Sequence, residues 1–144
     1  MATFVKINDF AEAVAEKKHD LGSDTLTLAL SNTAPASESS NPTADGNGVL
    51  ANVTEVAYTN CSSRNITTAS SSQTSGTYKL ILTDLTLTAS GGAVGPFRYV
   101  YVYNDSASND ELVGYYDYGS SITLADGESL LIDFDGAGGL LTSV

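Results

Sequence analysis

Few side chains in this sequence are of the kinds that do chemistry, and each stands apart from the partners it would need. His19 is the lone imidazole. A serine becomes a nucleophile only when a base takes its proton, so a Ser-His-Asp arrangement would have to use this residue. It follows Lys17 and Lys18 with no nucleophile motif beside it, and it reads as an exposed residue at a helix end. Cys61 is the lone cysteine. A catalytic thiol also needs a base, and the imidazole is remote in sequence, so a small buried thiol is the plainer reading. Asp126, Glu128, Asp133 and Asp135 gather carboxylates near the C-terminal end. The run DFDG at 133–136 lacks the D-x-[DN]-x-[DN]-G spacing and closing glutamate of a calcium loop. Strand alternation puts Leu130, Ile132 and Phe134 on one side and Asp133 and Asp135 on the other, which describes a solvated acidic face. GGAVG at 91–95 lacks the lysine and the strand-to-helix setting of a phosphate loop. The residues therefore predict no catalytic site, no metal site and no cofactor.

Aromatic side chains offer the other kind of chemistry, stacking. GPFRYVYVYND at 95–105 places Phe97, Tyr99, Tyr101 and Tyr103 at every second position, hence on one face of a strand. Such a row is either a platform for a ligand or packing. The opposite face holds Arg98, Val100 and Val102, and the following stretch LVGYYDYG adds Tyr115, Tyr116 and Tyr118. Cross-strand tyrosine pairs are ordinary sheet stabilisation, and a strand apolar on both faces sits inside a sandwich or at a subunit contact. The seven aromatic residues are accordingly interface or core candidates before they are a glycan platform.

The elements that must position these residues are mostly strands. One short helix is expected at about 8–20, capped by Asn8, with Ile7, Phe10, Ala11 and Val14 as its apolar stripe and Gly22 as its terminator. TLTLAL at 25–30 alternates leucine with Thr or Ala and predicts a half-buried strand with its threonines outward. SNTAPASESSNPTADGNG at 31–48 reads as a long exposed loop. Val49–Tyr58 suits a weak strand, or a short turn and a strand, and SSSQTSG a polar turn. TYKLILTDLTLTA at 77–89 is strongly β, with a parity change near Thr83–Asp84 that predicts a bulge or bend. Two strands joined by SASN form a hairpin, and Asp126-Gly127 marks another turn. About eight strands with short turns and no βαβ alternation predict a mostly β protein: an antiparallel β-sandwich, jelly-roll-like, with one N-terminal helix.

The chain has 144 residues, which suits a single domain spanning 1–144. Its formal charge is −11, with only six Lys and Arg. Such a surface does not neutralise phosphates, which argues against nucleic acid and against anionic membranes as partners. No stretch reaches the roughly 18 apolar residues of a membrane span. A lone cysteine, and MATFVKINDFAEAV with no secretory cleavage pattern, predict folding in a reducing cytoplasm.

SDTLTLALSNTAP, SGTYKLILTDLTLTASGGAVGPFRYVYVYND and LVGYYDYGSSITLADGESLLIDFD, with FVKINDFAEAVAEKKHDLGSDTL before them, resemble a group of small structural proteins of tailed bacteriophages. The resemblance covers most of the chain and carries no catalytic residues. It implies a virion component on the capsid surface: a head decoration or cement protein, β-rich and often trimeric, whose partner is the major capsid protein. The SESSNPTADGNG segment is longer than that group leads one to expect. A rival reading is a tail or fibre component that binds host glycan through its tyrosines.

Overall fold

The computed structural model describes residues 2–143. Ten strands and one α-helix follow the order β1 (Phe4–Lys6), α1 (Asp9–Ala15), β2 (Leu26–Ser31), β3 (Asn65–Ile66), β4 (Thr68–Thr74), β5 (Thr77–Leu82), β6 (Leu85–Thr88), β7 (Val94–Asn104), β8 (Leu112–Leu124), β9 (Ser129–Ile132) and β10 (Leu141–Ser143). All the pairings are antiparallel. One sheet runs β1-β8-β7-β2-β3, a second β10-β5-β4, and β6 pairs with β9. The chain is thus mostly β with one helix, as its alternating pattern predicts.

Between the layers lies a main core. Leu26, Leu28, Leu30, Val100 and Val102 from the five-stranded sheet meet Leu80 and Leu82 of β5 and Leu87 and Ile132 of the β6–β9 pair. The predicted parity change at Thr83–Asp84 is the point where the chain leaves one small sheet for the other. Asp84 fixes that corner by accepting the backbone N–H of Phe134 at 2.8 Å. Turn Asp126-Gly127 joins β8 to β9, but β9 then pairs with β6 rather than β8, so this turn connects layers instead of closing a hairpin. The polar run SSSQTSG at 70–76, expected as a turn, lies in strand β4 as far as Thr74, and only Ser75 and Gly76 turn. Its serines need no core, because β4 lies at a sheet edge against the apolar β5.

The largest departure from the expected pattern is β2. All six of its residues are buried, Ser31 as fully as the leucines and Thr27 nearly so. A second core explains this. Ala29, Tyr99, Tyr101, Tyr103 and Leu112 on the far face of the same sheet pack with Ile7 and with Val53, Leu50 and Ala34. The last three come from the long connection between β2 and β3, which folds back over the sheet. The expected exposed loop at 31–48 is therefore only partly exposed, with Pro42 and Gly48 buried. Val49–Tyr58 forms a short 3₁₀ turn at Leu50–Asn52 and no strand.

Helix α1 holds that connection in place. The helix is shorter than expected, ending at Ala15, with Lys17 in the left-handed region (φ 64°) where Gly22 was the expected terminator. Asn8 makes no side-chain cap. Instead the Asp9 carboxylate accepts the backbone N–H of Gly46 at 3.0 Å and of Gly48 at 2.8 Å. Two bonds to an ionised acceptor are stronger than neutral ones. Asp9→Ala should cost about 1–2 kcal/mol once partial exposure is allowed for. It should also speed amide exchange at Gly46 and Gly48 ahead of the rest of the chain; unchanged exchange there would refute the clamp. The helix is rotated from its expected stripe: Ile7, Phe10 and Ala13 are buried, while Ala11 and Val14 are exposed.

Candidate functional site

The tyrosine row is real, but it divides between two cores. Tyr99, Tyr101 and Tyr103 belong to the second core beneath the long connection, and Tyr115 joins them, its ring centroid 5.4 Å from that of Tyr101. Phe97 does not share their face. It is packed in the main core with Val100 and Val102. The β7–β8 register shifts between Phe97 and Tyr99, and this slip flips the side chain to the opposite face. Tyr116 also faces the main core, with Phe4 at 5.1 Å and Phe134 at 6.2 Å, and Tyr118 borders it at 6.3 Å. Of the seven candidates, only Tyr115 and Tyr118 retain partial exposure. Arg98, on the rim of the row, forms a bidentate pair with Asp117 at 2.7 and 3.1 Å.

His19 is not the exposed helix-end residue that its lysine neighbours suggest. It is buried, at 8% exposure, under the ring of Phe10, whose centroid lies 5.0 Å away. Its contacts fix its chemistry. The Ser106 N–H donates to Asn104 Oδ1 at 2.9 Å, which orients the amide. The Asn104 amide nitrogen then donates to Asp24 Oδ2 and to His19 Nδ1, the latter at 2.9 Å. With Nδ1 accepting, the neutral ring carries its hydrogen on Nε2. That Nε2 is buried and has no partner among the described residues. Beside His19 opens a cavity of about 1040 Å³, lined also by Phe10, Val14, Leu141 and the side chains of Lys6 and Lys17.

No family model matches this chain, and neither characterised proteins nor solved structures yield a match to it. What the site does must therefore be read from its own geometry.

Burial pulls the His19 pKa below its ordinary 6.5, against the pull of the Glu111 and Asp24 carboxylates, while Lys18 adds to the lowering. The unfolded chain takes up a proton near pH 6.5 that the folded chain refuses until a lower pH. Stability is then unaffected well above pH 6.5 and falls as pH drops through 6.5 toward the folded value. The geometry gives the same sign, because a proton on Nδ1 would face the N–H of Asn104. We expect the urea midpoint to drop between pH 7.5 and 5.5, and His19→Gln to flatten that drop. A wild-type midpoint that stays level across this window would contradict the buried neutral imidazole.

The remaining sequence candidates serve local structure. Cys61 is half-buried, and burial raises its thiol pKa, the opposite of what an activated nucleophile needs. Asp135 accepts the backbone N–H groups of Ala137 and Gly138 in its own turn. Asp126 accepts the N–H of Gly91, and Glu128 that of Ala125. Asn104, one of the chain's N-x-[ST] asparagines, is the residue whose link to His19 its own stretch does not reveal. That stretch shows only a turn, since Asn-x-Ser directly after a strand is an Asx-turn sequence. Arg64 was missed too: its guanidinium lies 3.6 Å from the Tyr58 ring centroid and donates to the Leu28 carbonyl.

Proposed function

We propose that this chain is a non-enzymatic virion structural protein, a decoration or cement protein that binds the outer surface of a phage head and stabilises the shell. One observation carries the reading. The aromatic row is turned inward into two cores, while the exposed large apolar side chains include Val5 and Val14 on the N-terminal segment, at 45% and 44% exposure. Val14 lines the cavity beside His19, while Val5 lies on β1 opposite Tyr115, which supports a contact surface on the β1–α1 segment. The lone imidazole supports a binding role as well, for its Nδ1 is occupied by the Asn104 amide and is not free to act as a general base. The phage-like phrasing of the sequence names the partner class, the major capsid protein, and a homotrimer as the assembling form.

Cryo-microscopy of the parent particle tests the proposal. Density for this protein is expected on the outside of the head, and a head shell without it would refute the reading. A glycan array addresses the rival reading. With eight tyrosines and no tryptophan, intrinsic fluorescence reports on Tyr alone. Tyr99, Tyr101 and Tyr103 lie under the long connection, so no sugar-dependent change is expected; a saturable change would favour glycan recognition.

A further inference from the structure

Two sheets end along the same side of the molecule without closing on each other. β1 is the last strand of the five-stranded sheet and β10 the last of the three-stranded one. Among the described residues neither pairs on its outer side. Between them run two cavities. The one of about 1040 Å³ takes Lys6 from β1 and Leu141, Thr142 and Ser143 from β10. The other, about 590 Å³, takes Phe4 and Leu140 with Tyr116, Asp133 and Asp135. The two form a seam along β1 with an apolar floor and free backbone edges.

The seam also carries opposite charge at its two ends. Lys6 and Lys17, two of only six cations in a chain of charge −11, stand at one end. Among the described residues neither takes part in an ion pair. Asp133 and Asp135 stand at the other end. Strand addition to a free sheet edge supplies affinity through main-chain bonds and specificity through side-chain pockets.

Resting on the decoration reading, we infer that the seam receives an extended segment of the capsid subunit, laid along the β10 edge with an acidic side chain at Lys6 and Lys17 and a basic one at Asp133 and Asp135. Apolar residues between those charges cover Phe4, Val14 and Leu141. The charge order sets the register of the segment, and opposite charge at both ends disfavours a wrong one.

The test is co-sedimentation of the full chain with DNA-free expanded heads that lack it. The double variant Lys6→Glu/Lys17→Glu and the single variant Val14→Asp should each weaken binding at least tenfold. Thr123→Glu, exposed on β8 away from the seam, should leave it unchanged. The replaced side chains are all exposed, so far-UV circular dichroism and the melting temperature should match the wild type. If wild-type protein binds and the seam variants bind equally well, the seam assignment fails and the decoration reading stands. If wild-type protein does not bind the heads, the decoration reading fails and the assignment falls with it. If the seam variants abolish self-association of the free protein but keep full affinity for heads, the occupant is a second copy of this chain and the assignment is overturned.

Discussion

Tyr101→Ala should lower the unfolding free energy by about 3–5 kcal/mol, the range for emptying a buried aromatic site. Tyr101→Phe should raise it by about 1 kcal/mol. The opposite signs follow from one geometry. The ring is fully enclosed between β2, β7, β8 and the long connection, and its neighbours come from three separate stretches of chain. Deleting it leaves a cavity that Ala29 and Val53 cannot collapse to fill. Its hydroxyl is different, because it is buried with no hydrogen-bond partner among the described residues. Desolvation is also the main reason its pKa is raised, with the Glu38 carboxylate second and the neighbouring Tyr115 and Tyr99 hydroxyls after it. Tyr58 and Tyr116 are raised too, again chiefly by burial. Folded values above the unfolded value of about 10 mean that stability is full below that pH and lost as pH rises beyond it. Equilibrium denaturation of the three proteins at pH 7 checks the first claim. A Tyr101→Phe variant less stable than wild type would show that the hydroxyl is satisfied.

The same residue shows what could be read in advance. The row at 97–103 announced a strand, and the valines between its tyrosines announced that both faces were covered. What covers the second face was not legible. Ala34, Leu50 and Val53 are scattered through a connection rich in Ser, Asn and Gly, and they keep neither a helical nor a strand period. Their burial depends on Asp9, which looks like an ordinary first-turn acid but ties that connection at Gly46 and Gly48. Thr25 is exposed as its alternation predicts, but Thr27 in β2 is buried for the same reason: alternation marks a solvent face only when nothing folds over it. Phe97 was misplaced because a register slip leaves no mark in an alternating sequence. His19 defeated local reasoning altogether. Its surroundings are Asn104, Asp24 and Phe10, and only the tertiary fold brings Asn104 to it.

Gly114 carries the second large effect, and it joins the fold to the proposed contact surface. Gly114 lies opposite Lys6 on β1 and Val102 on β7. A methyl group built there would overlap the Phe4 ring and lie 2.5 Å from the Val5 carbonyl oxygen. The ring can turn away, but the carbonyl belongs to the strand backbone and cannot. Gly114→Ala must therefore push β1 off β8, at an overpacking cost of about 2–3 kcal/mol. Since β1 is a terminal strand, the damage should appear first as lost amide protection at Phe4–Lys6, before the central strands open. Adding Phe4→Ala should not restore protection, because it removes the ring and leaves the carbonyl clash. Full rescue by Phe4→Ala would show that the ring alone forbids a side chain at 114. Because β1 forms one wall of the seam, Gly114→Ala should also weaken binding to heads more than an equally destabilising change in the main core, such as Ile132→Val combined with Leu87→Val. Equal losses of binding from both would mean that the contact senses overall stability and not the position of β1.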